Sequence, residues 1–65
     1  MKLLLNGESR DVSARTLADL VRELKLDGKP IAVEKNRDVV PKSKYRETAL
    51  KEGDVLEIVH LVGGG

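Results

Sequence analysis

Cysteine, phenylalanine and tryptophan are absent from this chain, and Tyr45 is its one aromatic residue. Without cysteine there is no disulfide to staple the fold, no thiolate for a structural zinc and no internal thiol nucleophile. The lone histidine, His60, has no second imidazole with which to share a metal and no oriented partner for acid–base work, so it reads as a surface or boundary residue. No Ser-His-Asp arrangement and no phosphate-cradling glycine loop is present. An excess of charge is missing too: 12 Lys and Arg stand against 11 Asp and Glu, for a net charge of +1. Nucleic acids and anionic membranes both require a concentrated basic field, so neither is an expected partner. The densest basic stretch, Lys42-Ser43-Lys44-Tyr45-Arg46, is closed at once by Glu47 and reads as a solvated loop. Long apolar runs are also lacking, since Leu3-Leu4-Leu5 stops at Asn6, far short of a signal-peptide core or a membrane span. The expected location is the cytoplasm.

What remains is aliphatic. Ten Leu, eight Val and two Ile must supply the core of a 65-residue chain, and a domain of this size buries only about 60 % of the surface its unfolded chain exposes. Leu3-Leu4-Leu5 runs into Asn6-Gly7, the pair that most readily supplies the two positive φ values of a type I′ turn, so a hairpin is predicted with a polar edge strand from Glu8 to Val12. Leu17, Leu20, Val21 and Leu24 fall at i, i+3, i+4 and i+7, one face of a helix. Thr16 is placed to cap it, with Asp19 as the acidic partner of a capping box, and Gly28 and Pro30 are placed to end it. Ile31-Ala32-Val33 reads as a buried strand, 34–38 as a polar turn, and Val39-Val40 as a short strand closed by Pro41. A loop of mixed charge leads to a turn at Lys51-Glu52-Gly53-Asp54 and a last strand over 55–62.

The order hairpin, helix, strand, short strand, strand constrains the topology. A strand–helix–strand crossover is right-handed, and one helix covers one face of a small sheet. The predicted fold is α+β, a roll of the β-grasp kind with a mixed sheet packed on one main helix. One domain spans 1–62, and 63–65 form a flexible glycine tail. Glycine lacks a Cβ, so Gly63, Gly64 and Gly65 could thread a slot that any side chain would block, presenting the carboxylate of Gly65. A frayed chain end would leave the same three glycines.

Alternation adds a second element. If Leu56 and Ile58 face the helix, then Val59 and Leu61 face outward, as does Leu4 if Leu3 and Leu5 face in. Leu4, Val59 and Leu61 are therefore an expected apolar patch beside the tail for docking partner enzymes, with scattered surface aliphatics as the plainer alternative.

Taken together, Leu5-Asn6-Gly7, Thr16-Leu17-Ala18-Asp19-Leu20, Ile31-Ala32-Val33-Glu34-Lys35-Asn36, Val39-Val40-Pro41, Leu50-Lys51-Glu52-Gly53-Asp54 and the ending Val62-Gly63-Gly64-Gly65 resemble the ThiS family, the sulfur carrier proteins of thiamine biosynthesis. The resemblance spans the whole chain. It implies a ubiquitin-like β-grasp protein whose C-terminal glycine carboxylate is adenylated by a ThiF-type adenylyltransferase using ATP. That carboxylate is then converted to a thiocarboxylate with sulfur from cysteine, typically through a cysteine desulfurase. The sulfur passes to a ThiG-type thiazole synthase. By position, Gly64 and Gly65 are the diglycine and Gly65 carries the sulfur, with Gly63 preceding them. No cofactor is expected on the chain itself, because the partner uses the ATP.

The chemistry agrees with the residues. A carboxylate is a poor electrophile until it gains a leaving group such as AMP, and a chain without catalytic groups reads as the substrate of that activation rather than as an enzyme. The runner-up is a carrier like the small subunit of molybdopterin synthase, which is usually longer and richer in aromatics. Further alternatives are a ubiquitin-like modifier that joins the carboxylate to lysines and a noncovalent β-grasp binding module whose tail is dispensable.

Overall fold

The computed structural model describes residues 1–61. The expectations at Val62, Gly63, Gly64 and Gly65 lie outside the described residues. In chain order the elements are β1 (Lys2–Leu5), β2 (Glu8–Asp11), α1 (Leu17–Glu23), β3 (Ile31–Lys35), β4 (Asp38–Val40), a 3₁₀ helix (Lys42–Glu47) and β5 (Val55–His60). The five strands form one sheet in the order β2-β1-β5-β3-β4. Only β1 and β5 run parallel, as the crossover through α1 requires, and the other pairings are antiparallel. This is the mixed β-grasp roll predicted from the order of elements. The last strand in sequence is thereby the middle strand of the sheet.

The inner face of the sheet presents Leu3 and Leu5 from β1, Val33 from β3, and Leu56 and Ile58 from β5, all buried against Leu17, Leu20 and Val21 of α1. Val12, Ala14, Leu50 and Tyr45 complete this core. Leu17, Leu20, Val33 and Leu56 are wholly enclosed. Burying each such side chain is worth about 1.5–3 kcal/mol, so these four and their neighbours carry most of the stability of a chain with no covalent staple. β3 is buried on its inner side only. Of the predicted buried run Ile31-Ala32-Val33 only Val33 is enclosed: Ala32 lies on the face that a single helix leaves open, and Ile31 is half-buried at the edge of the core.

The turns follow local chemistry. Asn6 (φ 51°) and Gly7 (φ 83°) form the predicted two-residue turn between β1 and β2. Asn36 (φ 51°) and Arg37 (φ 74°) form a second one between β3 and β4. It is tighter than the predicted 34–38 turn, because Glu34 and Lys35 stay in the ladder opposite Glu57 and Leu56. Asparagine tolerates the left-handed region better than most side chains, which makes both turns possible.

Thr16 caps α1 as predicted, its Oγ1 accepting the Asp19 N–H at 3.2 Å. The reciprocal half of the capping box is not made, since the Asp19 carboxylate reaches along the helix to Arg22 at 4.0 Å. The helix ends at Leu24 rather than at Gly28. Lys25 takes the left-handed conformation (φ 60°), the Leu26 N–H reaches the Val21 carbonyl at 2.8 Å, and the Lys25 N–H reaches the Arg22 carbonyl at 3.0 Å. These are the two bonds of a Schellman stop. Its driving force is Leu26, which this reversal returns to the core. Gly28 (φ 78°) serves the following turn, in which the Lys29 N–H bonds the Leu26 carbonyl at 3.1 Å.

The predicted solvated loop around 42–46 is a 3₁₀ helix of six residues. Tyr45 explains the difference: its ring is buried at 7 % exposure, so the charged residues around it are drawn into a regular turn with their heads in water. Beyond it, Leu17 N–H bonds the Thr48 carbonyl and Leu50 N–H bonds the Arg15 carbonyl, each at 2.9 Å. These bonds tie the start of α1 to the segment leading into β5. Among the described residues, no helix is long and apolar enough to cross a membrane.

Candidate functional site: the outer face of the sheet and the end of β5

β5 is held from both sides. Its even-numbered residues bond toward β1 and its odd-numbered residues toward β3: the Leu56 carbonyl accepts from Asn6 N–H at 2.9 Å, and the Val55 carbonyl from Asn36 N–H at 2.7 Å. At its start, the turn is fixed by Asp54, buried at 7 % exposure. One Asp54 oxygen accepts the Lys51 N–H at 2.8 Å and the other accepts Asn36 Nδ2 at 3.1 Å, while Lys35 Nζ stands 3.8 Å away. At its end, the Leu61 N–H bonds the Pro30 carbonyl at 2.8 Å. The chain beyond Leu61 therefore departs from a central, doubly braced strand.

The alternation of β5 from Val55 to Val59 decides its outward set. Leu56 and Ile58 are buried, whereas Val59 and Leu61 are 54 % and 52 % exposed, and Leu4 is 40 % exposed. All three predicted docking residues are thus on the open face. They do not form one cluster. Leu4 stands beside Val55 in the parallel register, and Val59, four residues on, is about 13 Å farther along the strand at 3.3 Å per residue. Val59 lies opposite Ala32, and Leu61 is bonded to Pro30. Between the two apolar groups stand Glu57 and Glu34, directly paired across the strands, an arrangement in which like charges repel. The sequence reading missed Val55 and Val39, which are 41 % and 70 % exposed. The alternation that placed Val59 outward assigns Val55 to the same face, and Val39 follows as the partner of Glu34.

His60 ends β5 exposed, opposite Ile31. Among the described residues, no group of three or more His, Cys, Asp and Glu is gathered as a metal site requires. Gly63, Gly64 and Gly65, the predicted sulfur-bearing segment, lie outside the described residues.

A mixed five-stranded sheet gripping one helix, with an open outer face that carries two apolar groups and a sequence that ends in glycines, defines a β-grasp protein of the ubiquitin-like class. Within that class the chain belongs to the ThiS family, whose model matches residues 3–65. It is 42 % identical over 67 residues to a protein of Bacillus subtilis named sulfur carrier protein ThiS, with 97 % of this chain and 98 % of that one covered. It is 50 % identical over 66 residues to a thiazole synthase of Paramagnetospirillum magneticum; the match takes in 100 % of this chain but only 20 % of the length of that relative. In three dimensions it is similar to the crystal structure of the thiamine biosynthesis protein ThiS from Geobacter metallireducens. The TM-score is 0.85, at 29 % identity and with 100 % of both chains covered.

Proposed function

We propose that this chain is a sulfur carrier protein of thiamine biosynthesis, working as a protein co-substrate rather than as an enzyme. The observation that carries the reading is the family match, which runs through the whole fold and on to Gly65. Gly65 presents the terminal carboxylate, with Gly63 and Gly64 as the side-chain-free lead that lets it enter a partner's active site. A ThiF-type adenylyltransferase joins that carboxylate to AMP from ATP, giving carbon a leaving group that sulfur then replaces. The sulfur comes from cysteine by way of a desulfurase. The thiocarboxylate then delivers it to a thiazole synthase, all in the cytoplasm.

Two relatives support the choice of acceptor, since both the Paramagnetospirillum protein and one from Magnetococcus marinus are named thiazole synthase and match the whole of this chain within 20 % of their own length. A carrier joined to its acceptor in one polypeptide keeps the transfer local by raising the effective concentration.

The test is the intact mass of the protein after incubation with a ThiF-type enzyme, ATP, cysteine and a desulfurase. The expected product has one terminal oxygen replaced by sulfur, and the protein lacking Gly65 stays unloaded. Full loading of the truncated protein, or linkage to lysines with no thiocarboxylate, overturns the reading.

A further inference from the structure

A groove of about 220 Å³ lies on the helix side of the sheet, away from the outer face. Ala18 and Val21 of α1, Leu26, Ile31 and Tyr45 give it an apolar floor. Four cations, Arg22, Lys29, Lys42 and Arg46, stand at its rim against a single carboxylate, Asp27. Among the described residues, Lys29, Lys42 and Arg46 have no ion-pair partner, and Arg22 has only Asp19 at 4.0 Å. A chain of net charge +1 thus concentrates uncompensated positive charge around one apolar hollow.

The Tyr45 hydroxyl adds a polar feature. Its ring is buried, yet the hydroxyl makes no side-chain hydrogen bond among the described residues, and no buried side-chain oxygen or nitrogen there lacks a partner. The hydroxyl therefore reaches solvent, a free donor and acceptor on a residue that lines the groove. A phenol of ordinary pKa is already protonated at neutral pH, and desolvation raises this one further, so it is able to donate.

We propose that this groove is a docking site for an acidic segment of a partner protein, seating one large apolar side chain on the floor between carboxylates that meet the cationic rim. Size and charge select that occupant. The hollow is smaller than the roughly 300–1,000 Å³ of ordinary small-molecule sites, but it suits a single anchoring side chain of the kind that dominates protein interfaces. Nucleic acid is disfavoured because the one aromatic ring is buried and offers no face for a base to stack on.

Position gives the site its consequence. Ile31 of the floor pairs with His60 at the end of β5, and Pro30, next in the chain, holds Leu61. A partner anchored here sits beside the root of the C-terminal segment while leaving Val59 and the rest of the outer face free. The site does not depend on sulfur chemistry, and its test does not use it.

The probe is a synthetic peptide of alternating Glu and Asp with one central Phe, titrated into the isotope-labelled full chain and followed by amide NMR shifts. Shifts are expected at residues of α1 and of the 3₁₀ helix, with the outer-face residues Val55 and Val59 unmoved. The double variant Lys42→Glu, Arg46→Glu weakens binding about tenfold through like-charge repulsion, and added salt weakens the wild type by screening. Replacing the central Phe by Ala also weakens it. Because Lys42 and Arg46 are exposed, a native-like spectrum of the variant confirms its fold. No shift in the groove at millimolar peptide, shifts confined to the outer face, or equal shifts with inorganic phosphate alone would each overturn the proposal.

Discussion

Asn6 and Ile58 exchange two hydrogen bonds across the end of β1: Asn6 Nδ2 donates to the Ile58 carbonyl at 3.1 Å, and the Ile58 N–H donates to Asn6 Oδ1 at 2.9 Å. The carboxamide supplies one donor and one acceptor, as a strand residue would, and so adds a rung to the parallel ladder after the β1 backbone has turned away. The same residue opens the hairpin at φ 51°. Asn36 does the equivalent on the other side of β5, its Oδ1 accepting the Val55 N–H at 2.9 Å. Two turn residues thereby become braces on the strand that leads toward the C-terminal glycines.

Removing that rung separates its two roles. Asn6→Gly keeps the left-handed turn but loses both side-chain bonds, and is expected to cost about 2 kcal/mol from two bonds of roughly 1 kcal/mol each. Asn6→Ala adds the strain of a Cβ in the left-handed region, about 1 kcal/mol more. Urea unfolding of the two variants checks the order. Equal midpoints for Asn6→Gly and the wild type would mean that solvent replaces the rung without loss.

Asp54 is the corresponding anchor at the start of β5. Asp54→Ala strands the Lys51 N–H and the Asn36 amide in a part-buried turn, with an expected loss of about 2–4 kcal/mol. Asp54→Asn keeps one acceptor and is expected to lose less. Denaturant midpoints decide, and an Ala variant as stable as the wild type would show that the turn holds on its backbone bonds, from the Gly53 N–H to the Lys2 carbonyl at 2.8 Å and from the residue 54 N–H to the Lys51 carbonyl at 3.1 Å.

The order and type of elements were legible because each rested on one local rule: Asn6-Gly7 on turn chemistry, Leu17 to Leu24 on helical period, and Leu56 to Leu61 on alternation. The failures share a cause, which is tertiary demand on a residue whose local context pointed elsewhere. Lys25 stops α1 in place of Gly28 because Leu26 must re-enter the core. The stretch around Tyr45 reads as a polar loop by charge, yet one buried ring organises it. For the outer face, alternation named Leu4, Val59 and Leu61 as exposed, but the distance between Leu4 and Val59 depends on the β1–β5 register, which no local pattern encodes. The groove was not legible, because its walls come from α1, the loop after it, β3 and the 3₁₀ helix.

Thr16→Ala removes the side-chain oxygen that, among the described residues, accepts the Asp19 N–H in the first turn of α1. The expected cost is about 1 kcal/mol, read from chemical denaturation. An unchanged midpoint would mean that the backbone bridge between Thr16 and Ala49 positions the helix without the cap.

Tyr45 makes stability fall at alkaline pH. Burial raises its folded-state pKa above the ordinary value of 10.0, so the folded state keeps a proton that the unfolded state releases. The contribution is fully present below about pH 10 and declines as pH rises toward the folded pKa. Because this is the only tyrosine and tryptophan is absent, its ultraviolet ionisation can be followed directly. Tyr45→Phe is expected to flatten the alkaline loss, and an unchanged pH profile would assign that loss to other groups.

Val59 tests the outer face as a docking surface for the activating enzyme. Its side chain is more than half exposed on a strand whose inner residues Leu56 and Ile58 hold the core, so Val59→Asp removes no core contact, and a surface change of this kind alters stability by about 0.5 kcal/mol or less. Its effect on binding is expected to be larger. The new carboxylate stands one outward position along from Glu57, itself opposite Glu34, and burying it against a partner costs desolvation. Calorimetric binding to a ThiF-type enzyme is expected to weaken about tenfold, roughly 1.4 kcal/mol, with an unchanged circular dichroism spectrum. Leu4→Asp probes the separate group beside Val55. Loss from Val59→Asp alone would confine the contact to the end of β5, loss from both would extend it over the whole outer face, and unchanged affinity in both would remove the outer face from the encounter.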